Sequence, residues 1–417
     1  MPFSTAKGNS QPFIDSLFVA TSGISTTGLT VVDIGTYYSL AGQLILLVIF
    51  QIGGIGYMSI VVFIISFFKV KSSMRMNQTA IDSIAGASQL KLGRFFRFIV
   101  LFTFISETAS GLALTLVWMN QFGILRALYY GFFHSISAFC TAGFSPFSDS
   151  LMQFRTNISV NIIIIITSLL GGIGFIVVYD MVNYIKNRMI LKKRTRLSIH
   201  TKIILLSTVA IIILATVVFI ISEKWPNSMD TLDRIQSSLF QAVSASTTDG
   251  FNTIDIGKMN ERSLIMIMMQ MFTGASPGST AGGIKISTLS IILLYLIHQI
   301  RTRKETINLF RRQLPIGTIH KAFSVFVWFI IIIVIDLGIL CTTEKSSSFQ
   351  LAFEIISAMG NTGLSMGITQ GLSDLARIMF IITMFIGRVG PLIFALALMG
   401  KIKSLPYEFP REDILVT

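Results

Sequence analysis

The chain has 417 residues, of which 52% are hydrophobic and only 13% charged, with a mean hydropathy of +0.74. A water-soluble globule needs more polar surface than this, so the composition excludes one and makes lipid the main solvent. The net charge of +13 fits either a nucleic-acid binder or a membrane protein with basic loops, and the placement of the cations decides between them.

The cations are clustered. One set is Lys69, Lys71, Arg75, Lys91, Arg94 and Arg97; a second is Lys186, Arg188, Lys192, Lys193, Arg194, Arg196 and Lys202; a third is Arg301, Arg303, Lys304, Arg311, Arg312 and Lys321; Lys401, Lys403 and Arg411 lie near the C-terminus. Each set follows a long apolar stretch, and those before the tail precede another, which the positive-inside rule assigns to cytoplasmic loops. Asp33, Asp149, Glu223, Asp230, Asp233, Asp255, Glu261, Glu344 and Asp374 fall in the alternate segments, expected outside. Cys140 and Cys341 are too few for a disulfide framework and lack metal-ligand spacing with a His. Residues 1–12 are polar and the apolar run from Phe13 is short, so no cleavable signal peptide is expected.

From the N-terminus the pattern predicts an all-α polytopic membrane protein built from four pseudo-repeated units around one pore. Residues 1–70 form the first, with a short apolar segment from Phe13, the turn Ser22-Gly-Ile-Ser-Thr-Thr-Gly28-Leu29 and an inner span near 42–68. It shows no helix before Phe13, and a missing N-terminal outer span is the expected explanation, because non-spanning backbone at membrane depth needs protein cover. Residues 71–195 form the second, with an outer span at 95–118, the turn Ser137-Ala-Phe-Cys-Thr-Ala-Gly143-Phe144 and an inner span at 157–184. Residues 196–305 form the third, with an outer span at 203–222, Ser244-Ala-Ser-Thr-Thr-Asp-Gly250-Phe251 and an inner span at 262–300. Residues 306–417 hold the fourth unit and a cytoplasmic tail, with an outer span at 322–341, Ser357-Ala-Met-Gly-Asn-Thr-Gly363-Leu364 and an inner span at 373–399.

The four turn glycines are spaced by about 107 to 115 residues, and each follows an apolar segment of about 10 to 14 residues, too short to cross a bilayer. These segments are expected to be re-entrant pore helices. Backbone that leaves a helix inside the membrane must place its carbonyls on water or an ion, and helix C-termini converging on a cavity favour cations. The expected ligands are the backbone oxygens of Ser25, Thr26, Thr27 and Gly28; Cys140, Thr141, Ala142 and Gly143; Thr247, Thr248, Asp249 and Gly250; and Gly360, Asn361, Thr362 and Gly363. Side chains vary between the copies while the glycine stays, as carbonyl chemistry permits. A single such glycine reads more readily as an ordinary helix C-cap; four in register do not.

The third inner span is interrupted at Phe272-Thr-Gly-Ala-Ser-Pro-Gly-Ser-Thr-Ala-Gly-Gly-Ile-Lys285, where Pro277 and the glycines forbid a continuous helix. Its candidate gate residues are Gly274, Ser276, Pro277, Gly278, Ser279, Thr280, Gly282, Gly283 and Lys285, against the plainer reading of a static kink. In the fourth inner span, Gly387-Arg388-Val389-Gly390-Pro391 places an arginine at membrane depth, where it must face water or a partner. Arg388 is expected to face the pore and bind the loop's carbonyls; an ion pair with Glu107, Asp180 or Asp336 is the alternative. Gly53-Gly54-Ile55-Gly56 and Gly171-Gly172-Ile173-Gly174 read as close helix packing. An intramembrane hydrolase would need an activated nucleophile or metal ligands, and His134, His200, His298 and His320 form no such cluster, so no enzyme is expected.

With these motifs the sequence resembles the Trk/Ktr/HKT superfamily of potassium transporters, most nearly the Ktr membrane subunit, from Phe13 to about Lys403. Gly278-Ser-Thr-Ala-Gly-Gly-Ile-Lys285 resembles the family's intramembrane gating loop and Gly387-Arg-Val-Gly-Pro391 its fourth-unit arginine motif. The resemblance implies that the four glycines belong to a selectivity filter and, since a serine in the first repeat goes with sodium, that Gly28 favours potassium. It also implies K+ as the transported ion with no cofactor in this protein, location in the cell membrane, a homodimer with one pore per subunit, and a cytoplasmic ring of nucleotide-binding regulatory subunits met in part by the basic loops. Asp249 departs from the pattern by adding an acid beside the third glycine. A channel-like subunit of a potassium-pumping ATPase and a sodium-selective member of the superfamily remain as alternatives.

Overall fold

The computed structural model describes residues 2–8, 10–55, 92–190, 192, 195–226, 229–302, 308–309 and 312–390. Gly56, Pro391, the far ends of the first and fourth inner spans, and the cations Lys69, Lys71, Arg75, Lys91, Lys193, Arg194, Arg303, Lys304, Arg311, Lys401, Lys403 and Arg411 lie outside the described residues.

The described residues are almost entirely helical. In order they form α1 (Phe13–Ile24), α2 (Ile34–Tyr37), α3 (Leu40–Ile55), α4 (Leu92–Phe122), α5 (Ile124–Phe139), α6 (Ile158–Gly172), α7 (Phe175–Ile185), α8 (Ile199–Ser222), α9 (Thr231–Thr247), α10 (Glu261–Thr273), α11 (Ile286–Thr302), α12 (Ile316–Thr343), α13 (Ser348–Gly360) and α14 (Asp374–Val389). A two-residue antiparallel pairing, Asn308–Leu309 with Arg312–Gln313, lies between α11 and α12.

Among the described residues, α4, α8 and α12 are long and apolar enough to cross a bilayer. Helix α12 turns Val327, Ile330, Val334, Ile335 and Ile339 outward, the arrangement expected where the surrounding solvent is hydrocarbon. Each long helix packs against the short helix that follows it, α4 on α5, α8 on α9 and α12 on α13. The short helices α1, α5, α9 and α13 have 12, 16, 17 and 13 residues, so α1 and α13 have the expected length while α5 and α9 run longer. Helix α5 starts directly after Gly123, whose φ of +76° turns the backbone back at the end of α4. Asp230 and Ser347 cap α9 and α13 by accepting from backbone N–H groups of the first turn, satisfying donors that a helix start otherwise leaves bare.

The first short helix is covered by α3 and by α14 from the fourth unit. The Asp15 carboxylate and the Arg377 guanidinium, 2.7 Å apart and largely buried, tie α1 to α14. Between these helices the core is apolar, with Phe18, Phe50, Phe133, Phe144, Phe380 and Met384 in one cluster.

The expected continuous inner span at residues 157–184 is broken in the structure. Helix α6 and the segment Phe175–Ile190 meet at 97°, so Gly171-Gly172-Ile173-Gly174 is a break and not only a packing surface. Gly174 sits at φ +93°, a conformation that glycine adopts without penalty. The backbone groups released at the break are taken up by the loop between α10 and α11: the Ser276 N–H donates to the Gly172 carbonyl (3.2 Å) and the Phe175 N–H to the Gly278 carbonyl (2.9 Å). A kink stabilised by outside backbone partners has no local proline to announce it.

Candidate functional site: four glycine turns closed into a ring

Helices α1, α5, α9 and α13 all end in the same way. The N–H of Thr27, Ala142, Asp249 and Thr362 donates to the carbonyl of Ser22, Ser137, Ser244 and Ser357, at 2.8, 2.8, 2.9 and 2.9 Å. The N–H of the preceding residue reaches the carbonyl one position further on, Thr26 to Gly23, Thr141 to Ala138, Thr248 to Ala245 and Asn361 to Ala358. This pair of bonds is the Schellman motif, which closes a helix through one left-handed residue. The recurring serine is the carbonyl that the motif needs.

The left-handed residue is not the glycine. Thr26, Thr141, Thr248 and Asn361 have φ of +53°, +51°, +56° and +51°, although non-glycine residues avoid this region. The glycine comes two residues later, with φ of +88° at Gly28, +65° at Gly143, +85° at Gly250 and +84° at Gly363. The ordinary C-cap reading of the glycine is thereby corrected: the cap is threonine or asparagine, and glycine has a second duty beyond it.

That duty is contact between turns. A Cβ on Gly28 would stand 2.5 Å from the Ala142 carbonyl oxygen, on Gly143 2.6 Å from that of Asp249, on Gly250 2.2 Å from that of Thr362, and on Gly363 2.1 Å from that of Thr27. The series runs from the first turn to the second, third and fourth and back to the first, so the four turns form a closed ring. Only a residue without Cβ fits at each junction.

On the C-terminal side of the glycines the turns open into a vestibule of about 290 Å³ whose lining includes all four glycines, Asp33, Ser145, Asn252 and Ser365. On their N-terminal side the turns face the α10–α11 loop. The Thr26 hydroxyl donates to the Thr280 carbonyl (3.3 Å), the Thr141 hydroxyl meets that of Thr280 (3.3 Å), and the Gly282 N–H donates to the Thr248 hydroxyl (3.3 Å). A Cβ on Gly282 would lie 2.4 Å from the Asn361 Oδ1. All four left-handed residues therefore touch Thr280 or Gly282, and the loop stands across the axis on the side away from the vestibule.

The rest of the loop faces elsewhere. Ser276 and Gly278 bond to the break after α6, Pro277 lies against Gly174, and the Ser279 hydroxyl donates back to the Ser276 carbonyl. Gly274 and Gly283 abut each other at the loop's two ends. Lys285, at φ +83°, donates its Nζ to the Ala281 (2.6 Å) and Gly282 (3.1 Å) carbonyls. Arg388 donates to the Thr280 carbonyl and to the Gly53 carbonyl of α3, which links the loop to the first inner helix. The acids offered as its ion-pair alternatives take other donors: Glu107 from Gln51, Asp180 from Thr201 and Asp336 from Thr383.

The acid and the thiol of the turns point away from the ring. The Asp249 carboxylate accepts from the Ser168 hydroxyl of α6 at 2.5 Å, and the Cys140 thiol lies against Gln51 and Gly54. The junctions between the turns are formed by backbone carbonyls of Ala142, Asp249, Thr362 and Thr27. Among the described residues no group of three His, Cys, Asp or Glu could hold a metal ion.

The close packing expected at Gly53 and Gly171 is present, and it recurs at Gly387, where sequence reasoning missed it. A Cβ on Gly53, Gly171 or Gly387 would lie 2.1, 2.0 or 2.2 Å from the carbonyl oxygen of Ile24, Phe139 or Met359, each four residues before a turn glycine. The inner helices thus press glycines against the ends of the short helices, and the signal was present as a Gly-x-x-Gly recurring some distance after each of those turns.

The fold is that of a helical protein with several helices long and apolar enough to cross a membrane. Residues 2–405 match the TrkH family, described as a cation transport protein. The sequence is 36% identical to Ktr system potassium uptake protein B of Bacillus subtilis over 99% of this chain and 91% of that protein. It is 34% identical to the protein of the same name from Vibrio alginolyticus, over 96% and 87%, and 30% identical to potassium/sodium uptake protein NtpJ of Enterococcus hirae, over 100% and 92%. The crystal structure of the potassium transporter TrkH from Vibrio parahaemolyticus shares the fold with a TM-score of 0.69 at 19% identity, covering 93% of this chain and 79% of that one. The protein belongs to the TrkH family of cation transport proteins.

Proposed function

We propose that this protein is the membrane subunit of a Ktr-type potassium uptake system, a channel-like transporter in which potassium passes along the axis enclosed by the four turns. The observation that supports the reading is the closed ring of glycine-to-carbonyl contacts, the arrangement expected of four turns converging on one axis. The names of the relatives from Bacillus subtilis and Vibrio alginolyticus support potassium as cargo. Residues 25–28, 140–143, 247–250 and 360–363 act as the selectivity filter, one segment from each of the units 1–70, 71–195, 196–305 and 306–417.

In this reading a hydrated ion enters the vestibule, where the Asp33 side chain adds negative charge, and exchanges water for backbone oxygens. Beyond the filter, Thr280 to Gly282 obstruct the path, so residues 274–285 act as the gate. Arg388 and Lys285 hold the gate shut through its carbonyls and also oppose a cation electrostatically. The basic loops face the cytoplasm, where a nucleotide-binding ring docks on a homodimer and moves the loop off the path.

Potassium and sodium uptake into liposomes holding the purified protein, with and without its cytoplasmic partner, tests this. Faster potassium than sodium uptake that rises with the partner is expected. Equal uptake of both ions contradicts the filter assignment, and copurification with a large ATPase subunit instead of a soluble ring favours the pump reading. A sodium-conducting member is the second reading, kept because one relative carries potassium/sodium uptake in its name.

A further inference from the structure

Nine residues before each turn glycine, the short helices carry Val19, His134, Gln241 and Glu354, all essentially inaccessible to solvent. In the second and fourth units this residue is joined to the strand that leaves the ring. The His134 Nδ1 lies 2.8 Å from the Tyr130 carbonyl, which can only accept, so Nδ1 carries the proton and Nε2 accepts from the Ser145 hydroxyl at 3.0 Å. The Ser145 hydroxyl in turn accepts from the Phe147 N–H at 2.9 Å. The fourth unit repeats this with different chemistry. The Ser365 hydroxyl donates to the Glu354 carboxylate at 2.5 Å and accepts from the Gly367 N–H at 2.9 Å, while the Met366 N–H (2.9 Å) and the Thr369 hydroxyl (3.1 Å) complete the carboxylate's partners.

Both serines stand two residues after the turn glycine, and both line the vestibule. The first and third units have no such link: Val19 offers no polar atom, and neither amide atom of Gln241 has a partner among the described residues. The ring contacts run in the order one, two, three, four, so the two braced strands face each other across the axis.

We propose that His134 and Glu354 are positioning residues that fix the two opposed exit strands and thereby set the bore of the ring, making them determinants of ion selectivity. This rests on the filter reading above. Discrimination between ions of different radius requires carbonyls held at a fixed distance, and a helix-anchored hydrogen bond behind a strand supplies the restraint. Two opposed braces fix one diameter, while the unbraced pair is left to the contacts between turns.

The test compares Ser365→Ala, Glu354→Leu, Glu354→Gln and Gln241→Leu with the unaltered protein in liposomes, reading the potassium-to-sodium flux ratio, and reads hydrogen exchange in peptides covering residues 363–370 and 143–150. Ser365→Ala and Glu354→Leu are expected to lower the ratio roughly tenfold, the loss of a buried charged hydrogen bond, and to speed exchange in 363–370 but not in 143–150. Glu354→Gln keeps an acceptor and stays within about twofold of the unaltered ratio, and Gln241→Leu leaves it unchanged. An unaltered ratio in Ser365→Ala, or an equal fall in Gln241→Leu, overturns the proposal. If Glu354→Leu fails to fold, Ser365→Ala decides. Should the unaltered protein itself fail to discriminate, the filter reading falls, and unchanged exchange in 363–370 would then sink the brace separately.

Discussion

Replacing Gly143 by serine perturbs the ring at its most forgiving junction, so it sets a lower bound on what a Cβ does there. The new atom would stand 2.6 Å from the Asp249 carbonyl oxygen; to reach even a tight 3.0 Å contact that carbonyl must retreat by 0.4 Å, whereas at Gly363 the Thr27 carbonyl must retreat by 0.9 Å from 2.1 Å. The left-handed φ costs a non-glycine residue a further ~1–2 kcal/mol, so both strain and displacement act on the same carbonyls. A loss of about 1.4 kcal/mol in discrimination is tenfold in the ion ratio, and Gly363→Ser is expected to reach that while Gly143→Ser loses about threefold. The order of severity follows the distances: Gly363, then Gly250, Gly28 and Gly143. Potassium and sodium fluxes in liposomes, at matched amounts of folded protein, measure it. Unchanged ratios in folded variants, or a severity order unrelated to these distances, would refute the reasoning.

Arg388→Ala removes a donor that the Thr280 and Gly53 carbonyls share and is expected to raise potassium flux in the absence of the cytoplasmic partner; lower or ordinary flux in a folded variant removes the latch. Deleting residues 274–283 should likewise raise flux, but it also strips the backbone partners of Gly172 and Phe175, so the point variant is the cleaner measurement. Gly171→Ala would place a Cβ 2.0 Å from the Phe139 carbonyl oxygen and should lower the thermal midpoint in detergent by several degrees; an unchanged midpoint would show that the contact relaxes freely. Arg377→Ala leaves the largely buried Asp15 without its 2.7 Å partner and should cost about 1–3 kcal/mol, read as a shift in the denaturant midpoint.

The helical class, the outer spans and the positions of the four turns were legible because each rests on local composition: apolar runs of spanning length, and a serine and glycine at fixed separation. The reason for the serine was not legible, since the carbonyl it supplies is common to every residue type. Nor did the sequence reveal that Thr26, Thr141, Thr248 and Asn361 adopt the left-handed conformation, because threonine is a poor candidate for it and only the surrounding ring holds it there. The break at Gly174 escaped notice for a related reason: its released backbone groups are satisfied by Ser276 and Gly278, about a hundred residues away in sequence. Arg388 shows the opposite case: the cost of an unpartnered guanidinium at membrane depth called for a partner, and of the two kinds offered, loop carbonyl or acid, the structure has the Thr280 carbonyl.

The most direct test of the ring as an ion path is a density map of the protein in lipid or detergent with thallium or rubidium replacing potassium. Ion density on the axis, bounded by the backbone oxygens of residues 25–28, 140–143, 247–250 and 360–363, is the predicted result. Ion density confined to other crevices, with that axis empty at saturating ion, would contradict it.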